Sequence, residues 1–283
     1  MTATATLPSQ TAPETGAKSK LQQSIQDSTE KLVAQLQAGK SEALTAYLTT
    51  MARFHHYSFG NQMLIAMQRP GASQVAGFHK WLELHRYVRK GEKGISILAP
   101  MIIKGKREES RADDSSEPGP RLIGFKTVYV FDASQTDGEP LAEWTPDITG
   151  EVGTLTARLT DHIQAAGTPV TRDAGIAPAL GRCSPTDIKI LPDLAPAQEF
   201  AVLVHEYAHA LLHRGTRRQQ TTKTIRETEA EAVSFIVATA AGFECGQAAS
   251  DYIQMYNGNT ETLIESLQAI QSAAAEILTA LES

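Results

Sequence analysis

Two histidines four residues apart with a glutamate between them, His205-Glu206-Tyr207-Ala208-His209, are the residues of this sequence best arranged to do chemistry. On a helix, positions i and i+4 share one face with their side chains about 6 Å apart. Both imidazoles can then reach one ion, while Glu206, one step round, is placed to take a proton from water that the ion activates. The pattern is that of a hydrolytic zinc site, with Zn2+ as cofactor, His205 and His209 as ligands and Glu206 as catalytic base. The reaction it implies is peptide hydrolysis.

A catalytic zinc takes three protein ligands and keeps one position open, so another donor must come from elsewhere in the chain. The run Arg226-Glu-Thr-Glu-Ala-Glu-Ala-Val-Ser-Phe235 begins a second apolar helix that continues through Ile236, Val237, Ala238 and Ala241. Glu229 shares a face with Ala232, Val233, Ile236 and Ala240, and is the expected third ligand, with Glu231 as the alternative. Glu227 fits a solvated first turn that favours the helix dipole. His213 lies a further turn beyond His209, too far along the axis to share the ion easily, and is expected as a residue behind the ligands or in the core. For a developing oxyanion no second stabiliser is assigned beside the zinc; Tyr252 and Tyr256 are candidates.

The element that must position the motif is legible in its apolar spacing. Phe200, Leu203, Val204, Tyr207, Ala208, Leu211 and Leu212 recur at helical intervals from about Ala197 to His213. Pro196 suits the first turn, and Gly215 beside Arg214, Arg217 and Arg218 suits the end. Just before it, Asp187-Ile-Lys-Ile-Leu-Pro192 alternates like a short strand whose proline fits an edge. Such an edge would either pair with an extended substrate peptide or serve only in packing.

The chain of 283 residues, 41% hydrophobic, is long enough for one large domain or two medium ones, and two fit the pattern better. The formal net charge of −6 excludes polyanion binding by bulk electrostatics, so any nucleic-acid surface must be local. Residues 1–20 are rich in Thr, Ala, Pro, Ser and Gln and read as a disordered tail without a signal-peptide core. Nothing later is apolar for long enough to cross a membrane. The two cysteines, Cys183 and Cys245, have no ligand-like spacing, and a cytoplasmic protein with reduced thiols is the plain expectation.

The first half reads as helices from Leu21 to about Met67 with a break near Gly39-Lys40-Ser41, then a short helix from Gly77 to about Arg86. Two strand-like runs follow, Ile95 to Ile103 and Leu122 to Phe131, separated by a charged stretch from Lys104 to Pro120 that reads as a long loop. Positive charge accumulates at Lys80, Arg86, Arg89, Lys90, Lys93, Lys104, Lys106 and Arg107. Phe54, Tyr57, Phe59, Phe78, Trp81, Tyr87, Phe125, Tyr129 and Phe131 lie in and around it. Cations that follow a phosphate chain beside rings that stack on unpaired bases suit single-stranded nucleic acid. Basic runs also occur as solvated faces, and aromatics at helical spacing also belong to cores.

Several ordered blocks separate these readings: Tyr57-Ser-Phe-Gly-Asn-Gln-Met-Leu-Ile-Ala-Met-Gln-Arg-Pro70, Val75-Ala-Gly-Phe-His-Lys-Trp81, Val88-Arg-Lys-Gly-Glu-Lys-Gly-Ile95, Leu98-Ala-Pro100 and Val128-Tyr-Val-Phe-Asp132. Together they resemble the amino-terminal domain of the ArdC-like antirestriction proteins over roughly Leu21 to Pro140. The carboxy-terminal part is similar to metallopeptidases of the ImmA/IrrE type, whose zinc helix reads much like His205 to His213. The resemblance implies a domain that binds single-stranded DNA without sequence preference, joined to a zinc-dependent protease-like domain, often carried by mobile elements, that protects entering DNA from restriction. It places zinc on His205 and His209, the catalytic role on Glu206, and the first carboxylate of the downstream Glu-x-Glu-Ala pattern on Glu229. Val233 departs from the pattern, since an Asp or Asn often stands there to orient a zinc histidine. Individual DNA contacts are not fixed by the resemblance; Tyr57, Asn61, Trp81, Arg86, Arg89, Lys90 and Lys93 are the candidates.

The expectation is therefore an α+β chain of two domains. Helices with a small antiparallel sheet form residues 21–140, a linker spans 141–152, and a mainly helical zincin-like metallopeptidase domain spans 153–283. Its partners would be single-stranded DNA and an unidentified protein substrate, free or DNA-bound, with no membrane. Two rival functions use the same residues: a DNA-masking protein with a structural zinc, and a zinc peptidase that cleaves a repressor.

Overall fold

The computed structural model describes residues 14–37, 41–103, 121–140, 151–243 and 260–282. The expectations for residues 1–13, the 104–120 loop, linker residues 141–150, Cys245, Tyr252 and Tyr256 lie outside them. Three helices come first: α1 (Glu14–Gln37), whose start falls within the expected tail, α2 (Ser41–Arg53) and α3 (Phe59–Gln68). On α2, Leu44, Tyr47, Leu48 and Met51 are all buried, the i, i+3, i+4, i+7 stripe of an amphipathic helix.

A three-stranded antiparallel sheet follows, ordered β1-β4-β3, from β1 (Val75–Gly77), β3 (Ile95–Ile103) and β4 (Arg121–Asp132). Ile95 opposes Val130 and Ile97 opposes Val128. Alternation turns these four to one face, where they pack with Phe54 and with Leu64 and Ile65 of α3. The pairing predicted for the two strand-like runs is thus present, with an irregularity between Met101 and Ile102. Between β1 and β3 lie α4 (Phe78–Glu83) and β2 (Arg86–Val88), and β2 pairs with β5 (Thr136–Gly138) as a separate ribbon.

The second half opens with α5 (Val152–Ala165) and a sheet ordered β6-β8-β7, made of β6 (Val170–Arg172), β7 (Gly181–Cys183) and β8 (Ile188–Ile190). The helices α6 (Pro196–Leu212), α7 (Thr216–Gln220), α8 (Lys223–Ala240) and α9 (Thr260–Glu282) complete it. The strand expected over Asp187–Pro192 is β8, but it is not an edge. It sits between β6, in parallel, and β7, in antiparallel, with Ile188 and Ile190 buried. The strands with a free side in this sheet, among the described residues, are β6 and β7.

The larger core does not stop at the boundary expected between the halves. Leu44, Leu48 and Met51 of α2 belong to one buried cluster with Phe200, Leu203 and Val204 of α6, Val233, Ile236 and Val237 of α8, and Leu267, Ile270 and Ile277 of α9. The apolar stripe of α2 is buried with the second half, while α3 covers the sheet of the first. No helix among the described residues is long and apolar enough to cross a membrane.

Candidate metal centre

The motif helix forms as its spacing predicts, as α6, with Pro196 in the first turn and His213 as the residue after its end. His205 Nε2 and His209 Nε2 stand 3.1 Å apart. The carboxylate that meets them is that of Glu227 in the first turns of α8, 3.5 Å from His205 Nε2 and 3.4 Å from His209 Nε2. A tetrahedral ion with bonds of about 2.0–2.1 Å holds its donors about 3.3–3.4 Å apart. The triangle of 3.1, 3.4 and 3.5 Å fits such an ion without rearrangement. His205, His209 and Glu227 are partly buried, on the rim between α6 and α8.

Glu229, the third ligand expected from the sequence, is not brought to the pair. Its carboxylate is fully buried and already used: Oε2 lies 2.8 Å from His213 Nε2, and Oε1 accepts from the Arg217 guanidinium at 2.6 Å. The choice of the more buried helix face selected a carboxylate neutralised inside the core. Glu227 stands instead where the helix face meets solvent, with its side chain half exposed. Glu231, the alternative, is exposed and acts on His205 only as a neighbouring negative charge.

The buried set has its own connection to the site. His209 Nδ1 lies 3.0 Å from Nδ1 of His213, which is buried in turn against Glu229. If His209 presents its Nε2 lone pair to an ion, its Nδ1 carries the proton and donates to His213. Nε2–H of His213 then donates to Glu229, whose charge Arg217 balances. One assignment of protons satisfies His209 Nδ1, both ring nitrogens of His213 and both oxygens of Glu229. Apolar Val233, which left the orientation of a zinc histidine unexplained, is compensated by this chain through His213.

Glu206 points to the other side, toward β7, and is 8% exposed. The Cys183 backbone N–H donates to its carboxylate. Gly181 leaves room for that carboxylate, since a Cβ there would lie 2.6 Å from Glu206 Oε1 and 2.6 Å from Val202 Cγ1. Burial, with the Glu227 charge adding to it, pushes the Glu206 pKa up to about 7. Burial and the neighbouring His205 lower that of His209 to about 4, and burial also lowers that of His205. The two imidazoles are therefore neutral at pH 7, the form that ligates metal. The sequence held no sign of Gly181 or Cys183 as neighbours of the motif, because nothing local links β7 to α6.

The candidate DNA residues divide sharply. Trp81 is 2% exposed and its indole N–H donates to the Phe131 carbonyl at 2.9 Å, so its ring is core and not a stacking platform. Asn61 is buried and spends both amide groups on the Leu98 backbone, at 2.8 and 2.9 Å. Arg86 clamps the β2-β5 ribbon through Thr136 and the Glu139 carbonyl, and Arg89 is held by Glu92, Asp137 and the Ser134 carbonyl. Tyr57 packs edge-on against Phe54. Those five side chains are engaged in holding the fold. Lys90 and Lys93 are exposed and form no ion pair among the described residues. The rings presented to solvent are others: Tyr87 (62% exposed) on β2, Tyr129 (62%) and Phe125 on β4, and Phe78. Phe125 and Tyr129 share one face of β4, opposite the partly buried Val128 and the buried Val130, by the period of two.

The fold and this donor set define an α+β protein with a candidate divalent-metal centre between two helices. Residues 17–131 match the family model for the N-terminal domain of anti-restriction factor ArdC, and this part of the chain is an ArdC-type N-terminal domain. The whole fold resembles the crystal structure of the metal-free antirestriction ArdC protein from the R388 plasmid, with a TM-score of 0.50 and 21% identity, over 91% of this chain and 94% of that one. The Mn(II)-bound structure of the same plasmid protein gives a TM-score of 0.52 at 19% identity, over 92% and 98%. At these identities the likeness establishes the shared fold. An uncharacterized protein of Bacillus anthracis, pXO2-81, is 24% identical over 274 residues, 82% of this chain. The chain spans about half the length of that relative, 46% of it.

Proposed function

We propose that this chain is an antirestriction protein of the ArdC type that protects incoming DNA, with a zinc-dependent peptidase centre beside a surface for single-stranded DNA. The observation that carries the peptidase reading is the His205-His209-Glu227 triangle with Glu206 standing next to it under β7. The N-terminal ArdC-type domain supports the protective role, and the Mn(II)-bound relative supports a divalent ion.

A zinc ion held by these three groups would supply a Lewis acid and an acidified water. His205 and His209 arrive neutral, and Glu227 brings one negative charge. Glu206 accepts the proton from the attacking water and returns it to the leaving amine, a task for which a pKa near 7 is suited. A substrate peptide in extended form would lie along β7, whose outer side is free in its sheet, and its carbonyl would be brought over Glu206. The small domain that bears this arrangement is zincin-like in that reading. Single-stranded DNA would run past Lys90 and Lys93, with bases on Tyr87, Phe125 and Tyr129, bringing the peptidase near proteins on the same strand.

The deciding experiment compares wild type with Glu206→Gln for bound metal, for cleavage of a protein held on single-stranded DNA, and for protection of DNA from a restriction nuclease. The expected result is metal retained with cleavage and protection both lost. Full protection by Glu206→Gln would favour DNA masking with a structural metal. Cleavage without any affinity for single-stranded DNA at low salt would favour a peptidase whose basic domain grips protein, since phosphate-driven binding strengthens as salt falls.

A further inference from the structure

A second group of metal-ligating side chains lies far from the motif in sequence. His55 and His56, in the turn between α2 and α3, both approach Glu282 in the last turn of α9. His55 Nε2 is 2.6 Å and His56 Nε2 3.3 Å from the same oxygen, Oε1. We propose that His55, His56 and Glu282 form a second divalent-metal site, of the kind that takes Zn2+, which fastens the α2-α3 turn to α9.

The protons of His55 make the case. Its Nδ1 lies 3.1 Å from the Ala52 carbonyl, an atom that can only accept, so Nδ1 carries a hydrogen. In the neutral ring, Nε2 then presents a lone pair, and it faces a carboxylate oxygen at 2.6 Å. Two acceptors so close need a positive charge between them, either a proton or a metal ion. A proton on His55 would leave His56 to donate from a neutral Nε2–H to the same oxygen, whereas an ion would draw both Nε2 atoms into one coordination shell. The two rings lie 4.1 Å apart with an interplanar angle of 42°. One divalent ion would satisfy two neutral imidazoles and a carboxylate together once the Glu282 oxygen withdraws from 2.6 Å to the about 3.3 Å that separates donors on a tetrahedral ion. Two imidazoles with one carboxylate are a donor set suited to zinc.

The surroundings are built to hold the group. His55 is 6% exposed, whereas the His56 side chain is 58% exposed and leaves a path for the ion and for a water ligand. Arg158 donates to the Leu281 carbonyl at 3.0 Å and fixes the end of α9. Gln271, further back on α9, donates to the Tyr57 carbonyl at 3.3 Å and fixes the turn. An ion here would tie the N-terminal helices to the last helix of the second half, across the core they already share.

The test is a Zn2+ titration of the metal-free full-length chain, counting bound ion. Wild type is expected to bind two equivalents and His56→Ala, altered at an exposed side chain, one. In a His205→Ala/His209→Ala background one equivalent should remain. Adding Glu282→Gln there should weaken it by more than the roughly 10–100-fold that follows loss of an outer partner of a metal site. Differential scanning with and without Zn2+ in the same background should show stabilisation that Glu282→Gln abolishes. If the His205→Ala/His209→Ala protein binds no ion while folded, or if its ion survives both His56→Ala and Glu282→Gln, the proposal is overturned. Failure of the motif site to bind would leave the background equivalent untouched, so the two sites are judged separately.

Discussion

Nδ1 of His209 and Nδ1 of His213 lie 3.0 Å apart, which joins the rim of the candidate metal centre to a fully buried pair, His213 and Glu229. The contact gives the downstream carboxylates different work. In the proposed centre Glu227 faces the ion, while Glu229 acts through His213 to hold one ligand in a single tautomer and orientation.

That division can be read from metal content. Glu227→Gln should abolish stoichiometric Zn2+ binding at the motif and leave melting of the metal-free chain nearly unchanged, because the side chain is half exposed. Glu229→Gln should keep the ion but weaken it by about 10–100-fold, as expected when the partner of a ligating histidine is lost. It should also destabilise the chain by about 3 kcal/mol, since Arg217 and His213 lose a buried partner. Calorimetric titration with thermal melting separates the two; equal loss of metal in both variants would refute the division.

The pH dependence of the metal-free chain follows from opposed shifts. Glu206, raised from 4.5 to about 7, binds its proton more readily when folded; the stability it adds is complete below pH 4.5 and lost as pH rises through 7. His205 and His209, lowered from 6.5, His209 to about 4, act the other way; their contribution is present above pH 6.5 and lost as pH falls toward 4. Between these limits the effects offset each other. Chelator-treated Glu206→Gln, which lacks the first effect, should lose melting temperature more steeply than wild type from pH 6.5 down to 4.5.

Gly181 sets the distance between β7 and the motif. A Gly181→Ala side chain would meet Glu206 Oε1 and Val202 Cγ1, each at 2.6 Å. We expect Zn2+ to bind as in wild type while peptide cleavage falls at least ten-fold through a displaced Glu206. Unchanged cleavage with a normal melting curve would show that Glu206 is not the base.

At the DNA surface, stability and binding should separate by residue. Trp81→Ala is expected to cost about 3–5 kcal/mol of stability, as for a large aromatic removed from a core. Tyr129→Ala and Tyr87→Ala should melt like wild type yet lose about 1–3 kcal/mol each in affinity for single-stranded DNA, if bases stack on them. Lys90→Glu and Lys93→Glu should lower affinity and flatten its salt dependence. Fluorescence anisotropy across salt reads all four; binding untouched by every one would place the DNA elsewhere.

The sequence by itself determined what is local. Helical spacing placed His205, Glu206 and His209 on one buried helix, and α6 forms there; alternation announced β3 and β4, and they pair. It also supplied the blocks that mark the ArdC-type domain. Tertiary structure alone decided which atoms meet across elements. Periodicity can rank helix faces by burial, and it ranked Glu229 first. It cannot show that Arg217 and His213 take up that charge, or that the half-exposed Glu227 completes the triangle. Trp81 and Asn61 carried the right chemistry for DNA, but packing against Phe131 and Leu98 consumed it. Strand β8 looked like an edge until β7 paired beside it, and His55 and Glu282 are 227 positions apart. In each case the missing information was long-range contact, and burial, pairing and proton positions depend on it because they belong to pairs of elements and not to single segments.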